Sequence, residues 1–179
     1  RYLSAASNMP MDLIKENYTL AATRYKPVYD NIKIVDSTGK DMNWVEAVVK
    51  NYKPDIVVLD MGDKFANKTG ADSHVYLKDA AIHARNIAKQ YECAVIWMSQ
   101  LSAEAEGKVF VDQSMLEGSK TGKASECDLM VLISKNAITE GEYEGDTQRH
   151  LVIAKNKLKG GWHGRITCKL DGETARYSA

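Results

Sequence analysis

The sequence is poor in proline and cysteine, has no net charge and contains no long apolar run. Its apolar stretches are far shorter than the about 20 residues that span a membrane, so no membrane-spanning segment and no membrane partner are predicted. Cys93, Cys127 and Cys168 lie far apart without CxxC spacing, which excludes a zinc knuckle and indicates reduced, buried thiols in a cytosolic protein. A formal net charge of +0 argues against a generic basic nucleic-acid binder.

The composition that remains, with 44% apolar and 27% charged residues, is that of a single globular domain. Apolar runs typical of buried strands alternate with segments of helical periodicity, which predicts an α/β fold. We expect a mostly parallel sheet with strands buried on both faces and helices on both faces of it. A C-terminal antiparallel hairpin is predicted around Asp171 and Gly172.

The predicted elements alternate along the chain. Helices are expected at residues 10–25, after a cap at Asp41, at 75–91 and, as a short helix or turn, at 119–126. Strands are expected at residues 32–35, 55–60, 93–98, 129–133, 150–154, 165–170 and 174–177. The intervening segments 61–72, 102–113 and 137–147 are predicted loops, the second of them mobile.

Asp60 follows four apolar residues at the predicted carboxyl end of a strand, which is the pattern of a Walker B carboxylate. Ligands of parallel α/β sheets bind at such strand ends, and Mg²⁺ prefers oxygen ligands while keeping several waters. Asp60 is therefore a candidate metal-site residue that acts directly or through a metal-bound water; a helix cap or a turn explains an isolated Asp equally well. Asp63 is a weaker nucleotide-binding candidate, with a surface turn as its alternative.

The next apolar strand ends at Ser99 and Gln100, which lie beside Asp60 if the two strands are neighbours. A neutral amide at this position can hydrogen-bond a γ-phosphate or an attacking water. A polar strand end in a turn is the alternative. The order of strand–Asp, helix and strand–Ser-Gln favours a nucleotide site.

The segment from Gly118 to Lys123 is similar to a phosphate-binding loop but fails its pattern, because three residues separate the glycines and Ala124 follows the lysine. Lys120 and Lys123 remain candidates for phosphate contacts on nucleotide or DNA, with a solvated turn as the alternative.

A further strand runs into a basic tip at Lys155 and Lys157, whose spacing in an extended segment places both on one side. Two such cations can neutralise charge that develops on a phosphoryl group in a partner subunit. A lysine-guarded edge strand is the alternative.

These stretches together resemble the RecA-like helicase domain of phage primase–helicases and, more distantly, DnaB-type replicative helicases. The order and spacing match over roughly residues 55–177. The matching stretches are residues 54–60, 94–100, 118–123, 126–128 and 155–158.

The resemblance implies a ring, usually hexameric, that hydrolyses ATP or another nucleoside triphosphate with Mg²⁺ and translocates on single-stranded DNA. In that scheme Asp60 is the metal-site residue, Gln100 the γ-phosphate sensor beside Ser99, and Lys155 and Lys157 reach a neighbouring subunit's site. The segment 102–118 is a DNA-contacting loop with Lys108 as its one cation. A phage replisome, with primase and polymerase as further partners in the host cytoplasm, fits the same resemblance.

Two departures qualify that scheme. DnaB-type proteins have arginine where Lys157 stands, and lysine lacks the bidentate fork of arginine. No phosphate-binding loop precedes Asp60 in these residues, so residues 1–179 are expected to be one N-terminally incomplete RecA-like domain that is inactive alone, with the missing strand and helix upstream. A recombinase or clock-like ATPase of the same fold and a non-catalytic oligomerisation scaffold are the alternatives.

Overall fold

The computed structural model describes residues 2–26, 30–118, 121–135, 147–158 and 160–178, with only the backbone of Tyr2 and Arg24. The α-helices in this part of the chain are α1 (Tyr2–Ser7), α2 (Met11–Glu16), α3 (Tyr18–Arg24), α4 (Met42–Tyr52), α5 (Ser73–Gln90) and α6 (Gly122–Glu126). The strands are β1 (Ile56–Leu59), β2 (Ala94–Trp97), β3 (Leu129–Ser134), β4 (Gln148–Asn156), β5 (Gly164–Asp171) and β6 (Arg176–Ser178). One-turn 3₁₀ helices lie at Gly62–Lys64, Ala103–Ala105 and Gln113–Met115.

Helix α4 begins where the sequence predicts a cap. The carboxylate of Asp41 accepts a hydrogen bond from the backbone N–H of Trp44 at 3.0 Å, which satisfies one of the unpaired amides of the first turn. Met42, Val45 and Val49 are spaced to share one helix face, and all three are buried. The helix ends at Lys53, which adopts a left-handed conformation with φ 47° just before Pro54.

Helix α5 confirms the predicted inner stripe. Its buried residues are Leu77, Ala80, Ala81, Ala84 and Ile87. Of these, Ala80, Ala84 and Ile87 pack with the α4 stripe against Val57 and Leu59 of β1 and Val95 of β2, forming the main hydrophobic core. Full burial of a side chain such as Ile87 contributes about 1.5–3 kcal/mol. Helices α4 and α5 therefore hold the β1–β2 pair from one side.

The sheet is not mostly parallel, which corrects the prediction. Strands β1 and β2 pair in parallel, whereas β3, β4, β5 and β6 form an antiparallel sheet in that order. A continuous apolar run indicates that a strand will be buried, but the connection decides its direction. Parallel neighbours need a long crossover, usually a helix, and the acidic segment between β3 and β4 carries no helical pattern. Residues 137–146 of that predicted loop lie outside the described residues.

The strands predicted to be buried on both faces have one open face in the described part of the chain. Ile56 and Val58 of β1 are 59% and 55% exposed, while Val57 and Leu59 face the helices. Alternate apolar residues of β2 and β3 are exposed in the same way, namely Ile96, Leu129, Val131 and Ile133. The prediction of helices on both faces was thus wrong for the described residues. Apolar residues indicate which strand face is suited to burial, but they do not indicate which element covers that face.

The N-terminal quarter differs most from its prediction. The single helix expected at residues 10–25 is divided at Asn17, whose side-chain amide donates to the carbonyl of Leu13 at 3.2 Å. Helices α1 to α3 bury a small cluster of their own, comprising Leu3, Ile14 and Ala21. The strand expected at residues 32–35 is absent, and those residues are irregular and exposed. Among the described residues no strand pairs with this segment, so its β-branched run forms no ladder.

A second core cluster lies beneath the segment between β2 and α6. Ala105, Val111 and Leu116 pack there with Ala124 of α6 and Leu132 of β3. The segment 102–113, predicted as a mobile loop, therefore contains the 3₁₀ turn Ala103–Ala105, reaches the start of the turn Gln113–Met115, and has buried side chains at Ala105 and Val111. None of the described helices combines the length and apolar character that spanning a membrane requires.

Candidate functional site

Asp60 and Gln100 follow the carboxyl ends of the two parallel strands. Leu59 is in register with Trp97, and the pairing continues as the Met98 amide donates to the Leu59 carbonyl at 3.1 Å. Asp60 thus follows β1 at the edge where Gln100 follows β2, as the sequence predicts. Both residues are exposed, and within the described residues neither side chain has a hydrogen bond or ion pair. A free carboxylate and a free amide at this edge are available to a ligand.

Asp63 has a different environment, because its carboxylate is turned into the protein. It accepts hydrogen bonds from the indole Nε1 of Trp97 at 3.0 Å and from the Ser99 hydroxyl at 2.5 Å. The ammonium of Lys123 lies 3.0 Å from each of its two oxygens. Asp63 and Ser99 were predicted to contact nucleotide, and in this structure their polar atoms are used by one another and by Lys123.

Lys123 is the centre of this buried network, with only 7% of its surface exposed. Besides Asp63, its ammonium donates to the Ser99 hydroxyl at 2.8 Å and to the backbone carbonyl of Glu117 at 2.7 Å. A lysine has three N–H donors, so all of them have protein acceptors. Lys123 therefore belongs to the interior of the protein, which does not suit the DNA contact predicted for it.

Gly62 makes room for the network. A Cβ atom at this position would lie 2.3 Å from Cε2 of Trp97, so the indole occupies the space that a side chain would need. With glycine there, Trp97 reaches Asp63 across the turn that follows β1. The Gly62 amide also donates to the Met98 carbonyl at 3.0 Å, which joins this turn to the end of β2.

Lys155 and Lys157 converge on the C-terminal end of α6. Lys155 donates to the carbonyls of Ala124 and Ser125, and Lys157 lies 3.4 Å from the Ser125 carbonyl. Their shared side confirms the spacing argument. Burial lowers the pKa of Lys155, and the ammonium of Lys157 adds to that decrease while the Cys127 thiol opposes it.

A third cation, Arg85 of α5, donates to the Glu126 carbonyl at 2.6 Å. Arg85 thus completes a set of cationic side chains around carbonyls that a helix end leaves without intrahelical partners. Arg85 was not among the predicted site residues, since nothing in its helical spacing points to a helix end 41 residues further along the chain.

In the segment predicted to contact DNA, Lys108 is exposed. Next to it Phe110 is 73% exposed, and the guanidinium of Arg165 on β5 lies over its ring, 4.5 Å from the centroid. The contact of Arg165 with this segment was not predicted, because Arg165 belongs to a strand far along the chain. Lys120, another of the three predicted DNA contacts, lies outside the described residues.

Magnesium fits this edge in a limited way. Among the described residues no three or more His, Cys, Asp or Glu side chains lie close enough together to hold a metal ion. Asp60 supplies one exposed carboxylate, which suits Mg²⁺ because that ion keeps several waters and uses few protein ligands. A phosphate cradle is not formed by the described part of 118–123, since Lys123 there is buried. Triphosphate binding therefore requires residues besides these.

Comparison with solved structures identifies the fold. The chain superimposes with a TM-score of 0.81 on a DnaB-like replicative helicase, described with its interactions with primase, at 19% identity. A second solved structure, described as an ATPase domain, gives the same TM-score and identity. In each case 98% of this chain is covered, but it spans only 46% of the first protein and 67% of the second. No protein-family model matches the sequence, and no curated protein matches it significantly. The chain thus has the fold of a DnaB-like helicase ATPase domain.

Proposed function

We propose that this chain is part of the ATPase core of a replicative DNA helicase, a ring-forming translocase on single-stranded DNA. One observation carries the proposal. Asp60 and Gln100 stand exposed and unpaired, within the described residues, at adjacent strand ends of a fold shared with helicase ATPase domains. Strand ends of this kind are where α/β sheets bind nucleotides.

Each of the two residues has a chemical role in that reaction. Asp60 would hold Mg²⁺ directly or through a metal-bound water, and the bound ion would supply positive charge to the phosphates of a nucleoside triphosphate. Gln100 hydrogen-bonds the γ-phosphate or the water that attacks it in line, as its neutral amide can both donate and accept. Asp63 and Ser99 support this edge from the interior, because their polar atoms are already engaged there.

The remaining contacts involve other parts of the surface. Lys157 is exposed, and among the described residues its ammonium makes one long hydrogen bond, at 3.4 Å, which leaves it able to reach a neighbouring subunit, while Lys155 contacts the end of α6 beside it. Lys108, together with Lys120, provides cations for the phosphates of single-stranded DNA. A hexameric ring, primase and polymerase as replisome partners, and a cytoplasmic location complete the proposal.

The open apolar face of β1 and β2 supports an upstream extension. Ile56, Val58 and Ile96 are the alternate residues of parallel strands, which are normally covered on both faces. We propose that the phosphate-binding strand and helix of a single RecA-like domain cover them. The chain by itself is then inactive, and every functional test uses the full-length protein.

The test compares ATP hydrolysis by the full-length protein, with and without poly(dT), in Asp60→Ala and in Asp55→Ala. Asp55 is an exposed carboxylate before the opposite end of the same strand, so it is a matched control for charge and position. Loss of the metal-site carboxylate is expected to lower kcat by about 100-fold or more, whereas the control keeps its turnover.

Other outcomes separate the alternatives. A folded full-length protein with an intact phosphate-binding loop but no turnover would contradict the proposal and favour the oligomerisation scaffold. DNA-stimulated turnover without unwinding of a forked duplex, and without rings in electron micrographs, would favour a recombinase of the same fold.

A further inference from the structure

Lys123 joins three separate segments of the chain at one buried point. Its ammonium contacts Asp63 in the turn after β1, Ser99 at the end of β2, and the carbonyl of Glu117 in the segment before α6. Sixty residues separate Lys123 from Asp63, so the contact exists only in the folded chain. Two of these contact residues lie close in sequence to the candidate site, since Asp63 follows Asp60 by three residues and Ser99 directly precedes Gln100.

Gln100 is held on both sides by this arrangement. The residue before it, Ser99, is fixed through its hydroxyl, and the Gln100 carbonyl accepts a hydrogen bond from the Glu117 amide at 3.1 Å. The bridge between Leu101 and Leu116 and the bond from the Ser102 amide to the Met115 carbonyl, at 2.7 Å, continue this pairing. The two ends of the 101–116 loop are therefore closed directly beside Gln100.

An ion pair at this position is not explained by stability alone. The desolvation of two buried charges costs much of the free energy that their attraction provides. A protein with an apolar pair of similar volume at such a position is often as stable. A buried polar network does, however, define one arrangement of the groups that it joins, because any shift leaves a charge without its partner. Directional contacts from one ammonium to three segments are suited to fixing their relative positions.

We propose that Lys123 is a positioning residue, which holds Gln100 and the 101–116 loop together in a fixed position relative to the turn that follows Asp60. Its effect on hydrolysis rests on the proposed function; its effect on the loop does not. If Gln100 contacts the γ-phosphate and the loop contacts DNA, the Lys123 network is the mechanical link between the two ligands. Asp63 is its fixed anchor, since the Trp97 indole also holds that carboxylate.

The first measurement is amide hydrogen exchange on the full-length protein. Lys123→Met keeps the length of the side chain but leaves the buried Asp63 carboxylate uncompensated, which endangers folding. The double variant Lys123→Met/Asp63→Asn removes both charges and keeps an acceptor for Trp97, so it is the decisive one. Lys89→Met, an exposed lysine on α5, is the control.

In the double variant we expect the amides of Ser102 and Glu117 to exchange about tenfold faster or more, as hydrogen bonds involving charged groups are lost. The Met98 amide, bonded to Leu59 in the parallel pair, keeps its protection. Unchanged exchange at Ser102 and Glu117 in a folded double variant would overturn the positioning role.

The second measurement is ATP hydrolysis with and without poly(dT). A positioning role predicts that KM for ATP stays at the wild-type value while the ratio of the two rates falls towards one. A purely structural role would raise KM and lower both rates together. Faster exchange with an unchanged ratio would overturn the link between the ligands. Absence of turnover in the wild type would refute the proposed function, and the exchange data would still decide whether Lys123 positions the loop.

Discussion

The substitution Gly62→Ala tests the close packing of the turn after β1 against Trp97, which supports the candidate site. Gly62 is buried and its φ is not in the left-handed region, so alanine meets no backbone conflict there. The new Cβ would instead lie 2.3, 2.5 and 2.7 Å from three atoms of the Trp97 indole. Atoms do not approach this closely, so the indole must move, and it is the group that donates to Asp63.

Two costs follow from that movement. Overpacking a well-filled position costs about 1–3 kcal/mol, and a buried carboxylate that loses a donor costs about 1–3 kcal/mol more. The sum, about 2–6 kcal/mol, corresponds to a decrease in Tm of at least about 4 °C for a protein of this size. The expected decrease in Tm is the same whether or not the protein hydrolyses ATP.

Thermal unfolding followed by circular dichroism measures the change, with Gly172→Ala as the matched control. Gly172 also lacks a positive φ, and a Cβ there meets no atom within 4 Å, so the control is expected to be nearly neutral. In a Trp97→Phe background the smaller ring should reduce the cost of Gly62→Ala, which a double-mutant cycle would register as coupling. Equal Tm values for Gly62→Ala and Gly172→Ala would refute the reasoning.

Two further predictions concern the helices around the core. Asp41→Ala should destabilise the protein by about 1 kcal/mol through loss of the α4 cap, whereas Asp72→Ala should not, since its side chain makes no cap bond at α5. Lys68→Ala removes the 3.2 Å ion pair of Asp41 and keeps the cap, so it measures the contribution of the ion pair separately. Equal free energies of unfolding for Asp41→Ala and Asp72→Ala in chemical denaturation would contradict this account. The His83 hydrogen bond holds the pKa of Glu46 below its ordinary value of 4.5, so its stabilisation is present above that pH and lost as the pH falls. The stability difference between wild type and Glu46→Gln should accordingly shrink from pH 7 towards pH 3, as unfolding titrations can test; a constant difference would exclude the linkage.

Elements defined by local patterns were predicted well. Helix α5 and its inner stripe, the cap at Asp41, the positions of β1 and β2 and the C-terminal hairpin all occur where the sequence places them. Each depends on residues within about two helical turns or one strand, where periodicity and capping operate. The placement of Asp60 and Gln100 at one edge also followed, because it needs only two parallel neighbours joined by a helix.

Other features depended on contacts between distant residues. The antiparallel direction of β3 and β4, the division at Asn17 and the open faces of the strands were not apparent from apolar content. The lysine interpreted as a DNA contact is buried against Asp63, because an isolated lysine in sequence carries no sign of its eventual partner.

The sequence by itself determined the positions of α4, α5, β1, β2 and the C-terminal hairpin and which polar residues end the parallel pair, since those properties follow from spacing and capping. Only the tertiary structure decided which polar side chains are available to a ligand. Asp60 and Gln100 remain exposed, whereas Asp63, Ser99 and Lys123 satisfy one another. The physical reason is that hydrogen bonding of a buried charge depends on groups brought together by folding, over separations that no local pattern encodes.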